Sequence, residues 1–143
     1  MSAQDNAATY RRWFDEGCSQ GNLDLVDELY SPEYVTHATP PELPPNREGL
    51  KLFIGALRQG IPDLNCPVDD VVAEGNSVAG RFSLVGTHDG TLLGIPATGK
   101  KVDVSVMVIA HFDDEGKWIE DWVCWDQLGL LQQLGVIPAP AAV

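Results

Sequence analysis

The segment Lys101–Phe112 alternates without a break. Val102, Val104, Val106, Val108, Ala110 and Phe112 interleave with Lys101, Asp103, Ser105, Met107, Ile109 and His111. A period of two over twelve residues is incompatible with a helix and specifies a strand with one buried face. Asp113-Asp114-Glu115-Gly116 then reads as a turn, and Lys117–Trp125 as the antiparallel return strand. Either turn register keeps the same two faces. One carries the valine row of the first strand with Ile119, Asp121, Val123 and Trp125. The other carries Asp103, Ser105, Met107, Ile109 and His111 with Trp118, Glu120, Trp122, Cys124 and Asp126. A bulge would break this assignment by turning one side chain over. The first face is apolar except for Asp121 and demands a cover. The second is mixed, and its Trp118, Trp122, Met107 and Ile109 form an apolar stripe suited to a dimer contact.

The cover is legible upstream. Tyr10, Trp13, Phe14, Gly17 and Cys18 share one face of a predicted helix. Gly21-Asn22 ends it and caps a second, with Leu23, Val26, Leu29 and Tyr30 inward; Ser31-Pro32 stops that one. Tyr34–His37 is a short extended piece, and Thr39–Pro45, with four prolines, is a loop. Asn46 caps a third helix carrying Leu50, Phe53, Ile54 and Leu57. Val68–Glu74 and Ser77–His88 flank Gly75-Asn76 as a hairpin. After Trp125, Asp126 caps a closing helix with Leu128, Leu131 and Leu134 on one side, and the tail from Pro138 to Val143 is expected to fray. Helices first and an antiparallel meander afterwards make an α+β domain over residues 1–143, its core spanning about 5–137. A cavity between helices and sheet is a natural ligand site.

Composition narrows the function classes. Twenty-one acidic against nine basic residues give a net charge of −12. Such a chain has no cationic field for nucleic acid or for an anionic membrane surface. No stretch approaches the ~18 apolar residues of a membrane helix, and the N-terminus has no signal-peptide pattern. Cys18, Cys66 and Cys124 are widely spaced and odd in number, which suits free thiols in a reducing cytoplasm. No metal-ligand spacing, phosphate loop or serine-hydrolase elbow is present. Zinc, nucleotide and serine-hydrolase chemistry are therefore disfavoured.

The candidate site residues follow from position. Asp121 is the one acid on the inner hairpin face, where desolvation would raise its pKa and suit it to general acid–base work. The competing reading places it near the turn, in reach of solvent. His37 and His88 stand where loops meet the sheet, a usual pocket rim, and either could shuttle a proton. Trp13 and Phe14 read as core or pocket wall. His111 reads as a surface residue and Asp126 as a helix cap.

The stretches NLDLVDELYSPEYVTHA, GTHDGTLLGIPATGKKV and DEGKWIEDWVCWDQLGLLQQLG resemble the SnoaL-like polyketide cyclases of the nuclear-transport-factor-2-like superfamily, over Tyr10–Pro138. The resemblance implies a cone of helices on a strongly curved, mostly antiparallel sheet around a deep apolar pocket. It also implies a homodimer through the sheet, a hydrophobic polyketide-like substrate, no metal and no organic cofactor. Members of the family close rings by intramolecular aldol chemistry, and relatives open epoxides, form pyran rings, hydroxylate or isomerise. The family's catalytic aspartate lies three residues before the aspartate of the closing WD motif, and that position is Val123 here. The opposing histidine position is Val108, and an asparagine-type position is Thr36. His88 matches a recurrent histidine in G-x-H-x-G.

The expected pair is thus replaced by two valines, and function does not follow from fold alone. The expected activity is a cofactor-independent cyclase or isomerase. Asp121 and His88 are its candidate catalytic residues, and Trp13, Phe14, Thr36, His37, Val106, Val108, Val123 and Trp125 line its pocket. Ring closure by shape alone suits an apolar pocket of this kind. The alternatives are a non-catalytic small-molecule binder, or an epoxide-opening relative that uses Asp121.

Overall fold

A computed structural model describes residues 1–38 and 40–138. Thr39 and the tail beyond Pro138 lie outside the described residues. Helix α1 (Ala3–Arg12) runs into a π-helical segment (Trp13–Ser19), followed by α2 (Leu25–Leu29), β1 (Tyr30–Thr36) and α3 (Arg47–Gly60). Strands β2 (Val68–Glu74), β3 (Ser77–Thr87), β4 (Lys101–Phe112) and β5 (Trp118–Trp125) follow, and α4 (Gln127–Gln133) closes the chain. The sheet order is β1-β5-β4-β3-β2, antiparallel throughout except that β1 pairs parallel to β5.

Local chemistry fixes the element ends. Ser2 and Asp5 form a reciprocal capping box at α1. The Asn46 side chain accepts from the Gly49 N–H at 3.1 Å, and Asp126 does the same for Gly129 at 2.8 Å. Gly116 closes the β4–β5 turn at φ +78°, and Asp113 Oδ1 accepts from the N–H groups of both Glu115 and Lys117. Burial along β4 alternates residue by residue, so the valine row faces the helices as its period requires.

Several sequence expectations are corrected. The helix expected over Tyr10–Cys18 widens into a π turn from Trp13, which still buries Trp13, Phe14, Gly17 and Cys18. Gly17 permits this, because a Cβ there would lie 2.1 Å from the Trp13 ring. The second helix has only five residues and its N-cap is Asp24, with no side-chain cap from Asn22. β1 begins at Tyr30 rather than Tyr34, since parallel pairing to β5 already engages Tyr30 opposite Trp118. In α4 Leu130 is buried and Leu128 is 57% exposed, against expectation, while Leu134 at the C-cap is buried as expected.

The largest correction concerns β5. A register shift between His111 and Phe112 sets Phe112 opposite Trp118, while Ala110 pairs with Asp121 and Val108 with Val123. The bulge turns Trp118 inward, so it is 1% exposed and absent from the outer stripe, and Ile119 is only half-buried.

Close approach also fixes Gly80. A Cβ at this position would lie 2.7 Å from the Tyr10 ring and hydroxyl, and that hydroxyl donates to the Val108 carbonyl at 3.2 Å. Tyr10 is fully buried and cannot yield freely. Gly80→Ala is expected to cost about 1–3 kcal/mol by overpacking, read as a lowered thermal midpoint.

Candidate active site

A cavity lies between α3, the π-helical segment and the inner sheet face. Its volume is about 110 Å³. Trp13, Tyr30, Trp118 and Cys66, all fully buried, form the floor; Leu50, Phe53, Val123 and Trp125, only partly buried, mark the mouth. Phe53 and Trp125 meet edge to face across it at 6.3 Å.

Asp121 is the one charged residue among the described lining residues. It sits on β5 opposite Thr36 of β1, and this parallel register explains its partners. The Thr36 hydroxyl donates to Oδ1 at 2.5 Å. The Tyr34 hydroxyl donates to Oδ2 at 2.8 Å, and the Trp118 indole N–H to the same oxygen at 3.0 Å. A carboxylate offers about four acceptor sites. Oδ2 is therefore filled, and Oδ1 keeps one site free, which is where a proton can be taken up or given.

The carboxyl is 3% exposed, so the solvent-facing reading of Asp121 is excluded. Burial pushes its pKa above the ordinary aspartate value of 3.8. The hydrogen bonds from Thr36, Tyr34 and Trp118 and the nearby His37 oppose this without cancelling it. Its protonated form is thereby favoured over that of an exposed aspartate, the direction that suits a group exchanging protons with a ligand.

The structure brings most of the expected pocket residues together. Trp13, Phe14, Thr36, Val106, Val108, Val123 and Trp125 all line the cavity with Asp121. Two do not. His37 turns to the outer face, where its ring stacks on Trp122 at 4.9 Å and Nε2 lies 2.8 Å from Glu120 Oε2. The strand alternation explains this, since His37 follows the inward Thr36. His88 is wholly buried but outside the cavity lining. Its Nδ1 accepts from the Thr98 N–H at 3.3 Å and lies 2.9 Å from the Thr98 hydroxyl, so it anchors the 88–99 loop to the sheet.

Among the aromatic lining residues that sequence reasoning missed, three surround Asp121. Tyr34 and Tyr30 reach Asp121's surroundings only through the β1–β5 pairing, between residues more than eighty positions apart. Trp118 stands three residues before Asp121 and would face away in a regular strand; the bulge alone brings both to one side.

Comparisons with known proteins agree on the lineage. TsrD from Streptomyces laurentii is 27% identical over 96% of this chain and 99% of its own, with a TM-score of 0.86. A protein from Jannaschia sp. CCS1, assigned as a SnoaL-like polyketide cyclase, is 29% identical over 95% of each chain, with a TM-score of 0.81. IdmH from Streptomyces antibioticus, assigned as a polyketide cyclase, is 29% identical over 91% of this chain and 98% of its own, with a TM-score of 0.79. The comparison with curated proteins gave no match. The sequence model of the SnoaL-like polyketide cyclases matches residues 8–134, which with these structural likenesses places the chain in that family.

Proposed function

We propose that the protein is a cofactor-independent cyclase or isomerase for a hydrophobic, polyketide-like intermediate, with Asp121 as its acid–base group. One observation carries this reading: a buried carboxyl lines an aromatic cavity with one Oδ1 acceptor site free. The position where the family resemblance leads one to expect an acid holds Val123, paired with Val108, and neither side chain can move a proton. Asp121 lies two residues along the same strand face and supplies the missing function from a deeper place. A carboxylate there can remove an α-proton beside a ligand carbonyl and return it to the product, while the apolar walls hold the chain in a reactive fold.

The two valines favour a second reading, in which wall shape alone promotes a pericyclic closure and the rate ignores both pH and Asp121. The outer sheet face also suits self-association. Met107, Ile109 and Trp122 are 58%, 48% and 41% exposed and form an apolar stripe on β4 and β5. A homodimer through this face is part of the proposal.

The acid–base reading is tested with 2-tetralone, a compact bicyclic ketone with acidic α-hydrogens. In D₂O the protein is expected to accelerate deuterium uptake at its α-carbons, followed by NMR. Val123→Phe, which fills the mouth side of the cavity, should abolish that acceleration while the fold persists. Exchange no faster than in buffer, or undiminished in the filled variant, rejects the proposal.

A further inference from the structure

The Tyr30 hydroxyl is a polar group that the acid–base reading leaves unused. Tyr30 lines the cavity and is 2% exposed, yet its hydroxyl has no hydrogen-bond partner among the described residues. It is also absent from the buried side-chain atoms that are both sealed and unpartnered, which are those of Asn6 and His88. The hydroxyl therefore opens onto the cavity. A buried hydroxyl without a partner is costly, and a ligand atom is the natural partner for one that faces a ligand site.

Its placement beside Asp121 is held by aromatic packing. The Tyr30 ring stands edge-on to Tyr34 at 4.7 Å and stacks on Trp118 at 4.7 Å, with an interplanar angle of 21°. Tyr34 and Trp118 are the two donors to Asp121 Oδ2. Trp13 packs edge-on from the other side at 5.4 Å. Three rings thus fix the tyrosine next to the carboxyl without using its hydroxyl. Burial, and the neighbouring Tyr34 and Asp121, push its pKa well above the ordinary value, so the phenol keeps its proton and acts as a donor.

We infer that the Tyr30 hydroxyl is a substrate-binding donor that takes a carbonyl or similar acceptor oxygen of the ligand, setting the adjacent carbon against Asp121 Oδ1. This rests on the acid–base reading for its catalytic meaning but not for its binding. The cavity then selects an apolar body carrying one acceptor oxygen that enters first, past Phe53 and Trp125, to the aromatic floor. During α-proton removal the same donor would meet the negative charge that grows on that oxygen.

The test compares 2-tetralone with tetralin, the same rings without the oxygen, by quenching of tryptophan fluorescence. The wild type and Asp121→Asn should bind the ketone about fivefold more tightly, the equivalent of one ordinary hydrogen bond. Tyr30→Phe keeps the ring and its packing. It should reduce this preference to about one, with tetralin affinity unchanged. The infrared carbonyl stretch of wild-type-bound 2-tetralone should lie below its position in cyclohexane, which tests the contact without a variant. A preference that persists in Tyr30→Phe, no preference in the wild type, or an unshifted carbonyl overturns the inference. The two claims separate cleanly: loss of exchange in Asp121→Asn with a persistent ketone preference in Tyr30→Phe keeps Asp121 and removes Tyr30. The opposite pattern keeps Tyr30 and removes Asp121.

Discussion

Asp121→Asn is expected to fold normally and to lose about 10²–10⁴ of the rate of any proton transfer in the cavity, the usual share of general acid–base catalysis. The fold should survive because asparagine can reproduce all three contacts. Its carbonyl oxygen, placed where Oδ2 stands, accepts from Tyr34 and Trp118. Its amide group then faces Thr36, whose hydroxyl can reverse from donor to acceptor. The reversal leaves the second amide N–H and the Thr36 hydroxyl proton without a protein acceptor, so the variant should keep its fold at a cost of about 1–3 kcal/mol. The amide cannot accept a proton at Oδ1, so the chemistry goes while the shape remains. Undiminished α-exchange of 2-tetralone in this variant would reject Asp121 as the acid–base group.

The same variant exposes a pH dependence whose sign is fixed. The folded chain holds Asp121's proton to higher pH than the unfolded chain, because burial raises the folded pKa. In the window between the unfolded value, near 3.8, and the folded value, the folded state binds more protons. This group's contribution therefore favours folding at the low end and is lost as pH rises through the folded pKa. Urea melts of wild type and Asp121→Asn at a series of pH values should diverge with that sign.

Trp118→Ala is expected to have the largest effect on stability, about 3–5 kcal/mol. The indole is 1% exposed and stacks on Tyr10 at 5.4 Å and on Tyr30 at 4.7 Å. Phe14 and Phe112 pack on it at 6.2 and 5.4 Å. Its removal opens a cavity bounded by rings that are themselves locked by neighbours and cannot collapse into the space. It also removes one of the two donors to Asp121 Oδ2. Trp118→Phe removes the N–H with only part of the ring volume, so it should cost less than Trp118→Ala, and the Asp121 pKa should rise further. Urea midpoints for both variants check the order; equal stability of Trp118→Ala and wild type would show that the bulge does not turn this residue into the core.

These residues also show how far the sequence carries. The period-two pattern of β4 and the Asp113–Gly116 turn place Val108 and Val123 on one face, because strand faces follow from counting. Asn46 and Asp126 are readable as caps because their chemistry is local. The bulge after His111 is not readable, since one extra residue leaves the hydrophobic alternation nearly unchanged while reversing Trp118. The parallel β1–β5 pairing is equally hidden. It joins Thr36 to Asp121 across 85 positions, and nothing in the Tyr34–His37 segment specifies its partner strand. Asp121 was visible as the lone acid on an apolar face; its three donors were not, because each depends on one of these two non-local features. His37 and His88 misled as rim residues because proximity to a loop says nothing about which way a ring turns.

The central claim is that Asp121 is a buried carboxyl that retains its proton beyond the range of an exposed aspartate and meets the cavity's ligand. Its most direct measurement is the carboxyl ¹³C shift of Asp121 in ¹³C-aspartate-labelled protein, assigned by its absence in Asp121→Asn and followed across pH with and without 2-tetralone. The account expects a midpoint above 3.8 and a shift perturbed by the ketone. A midpoint at or below that value, with a resonance blind to the ligand, would contradict it.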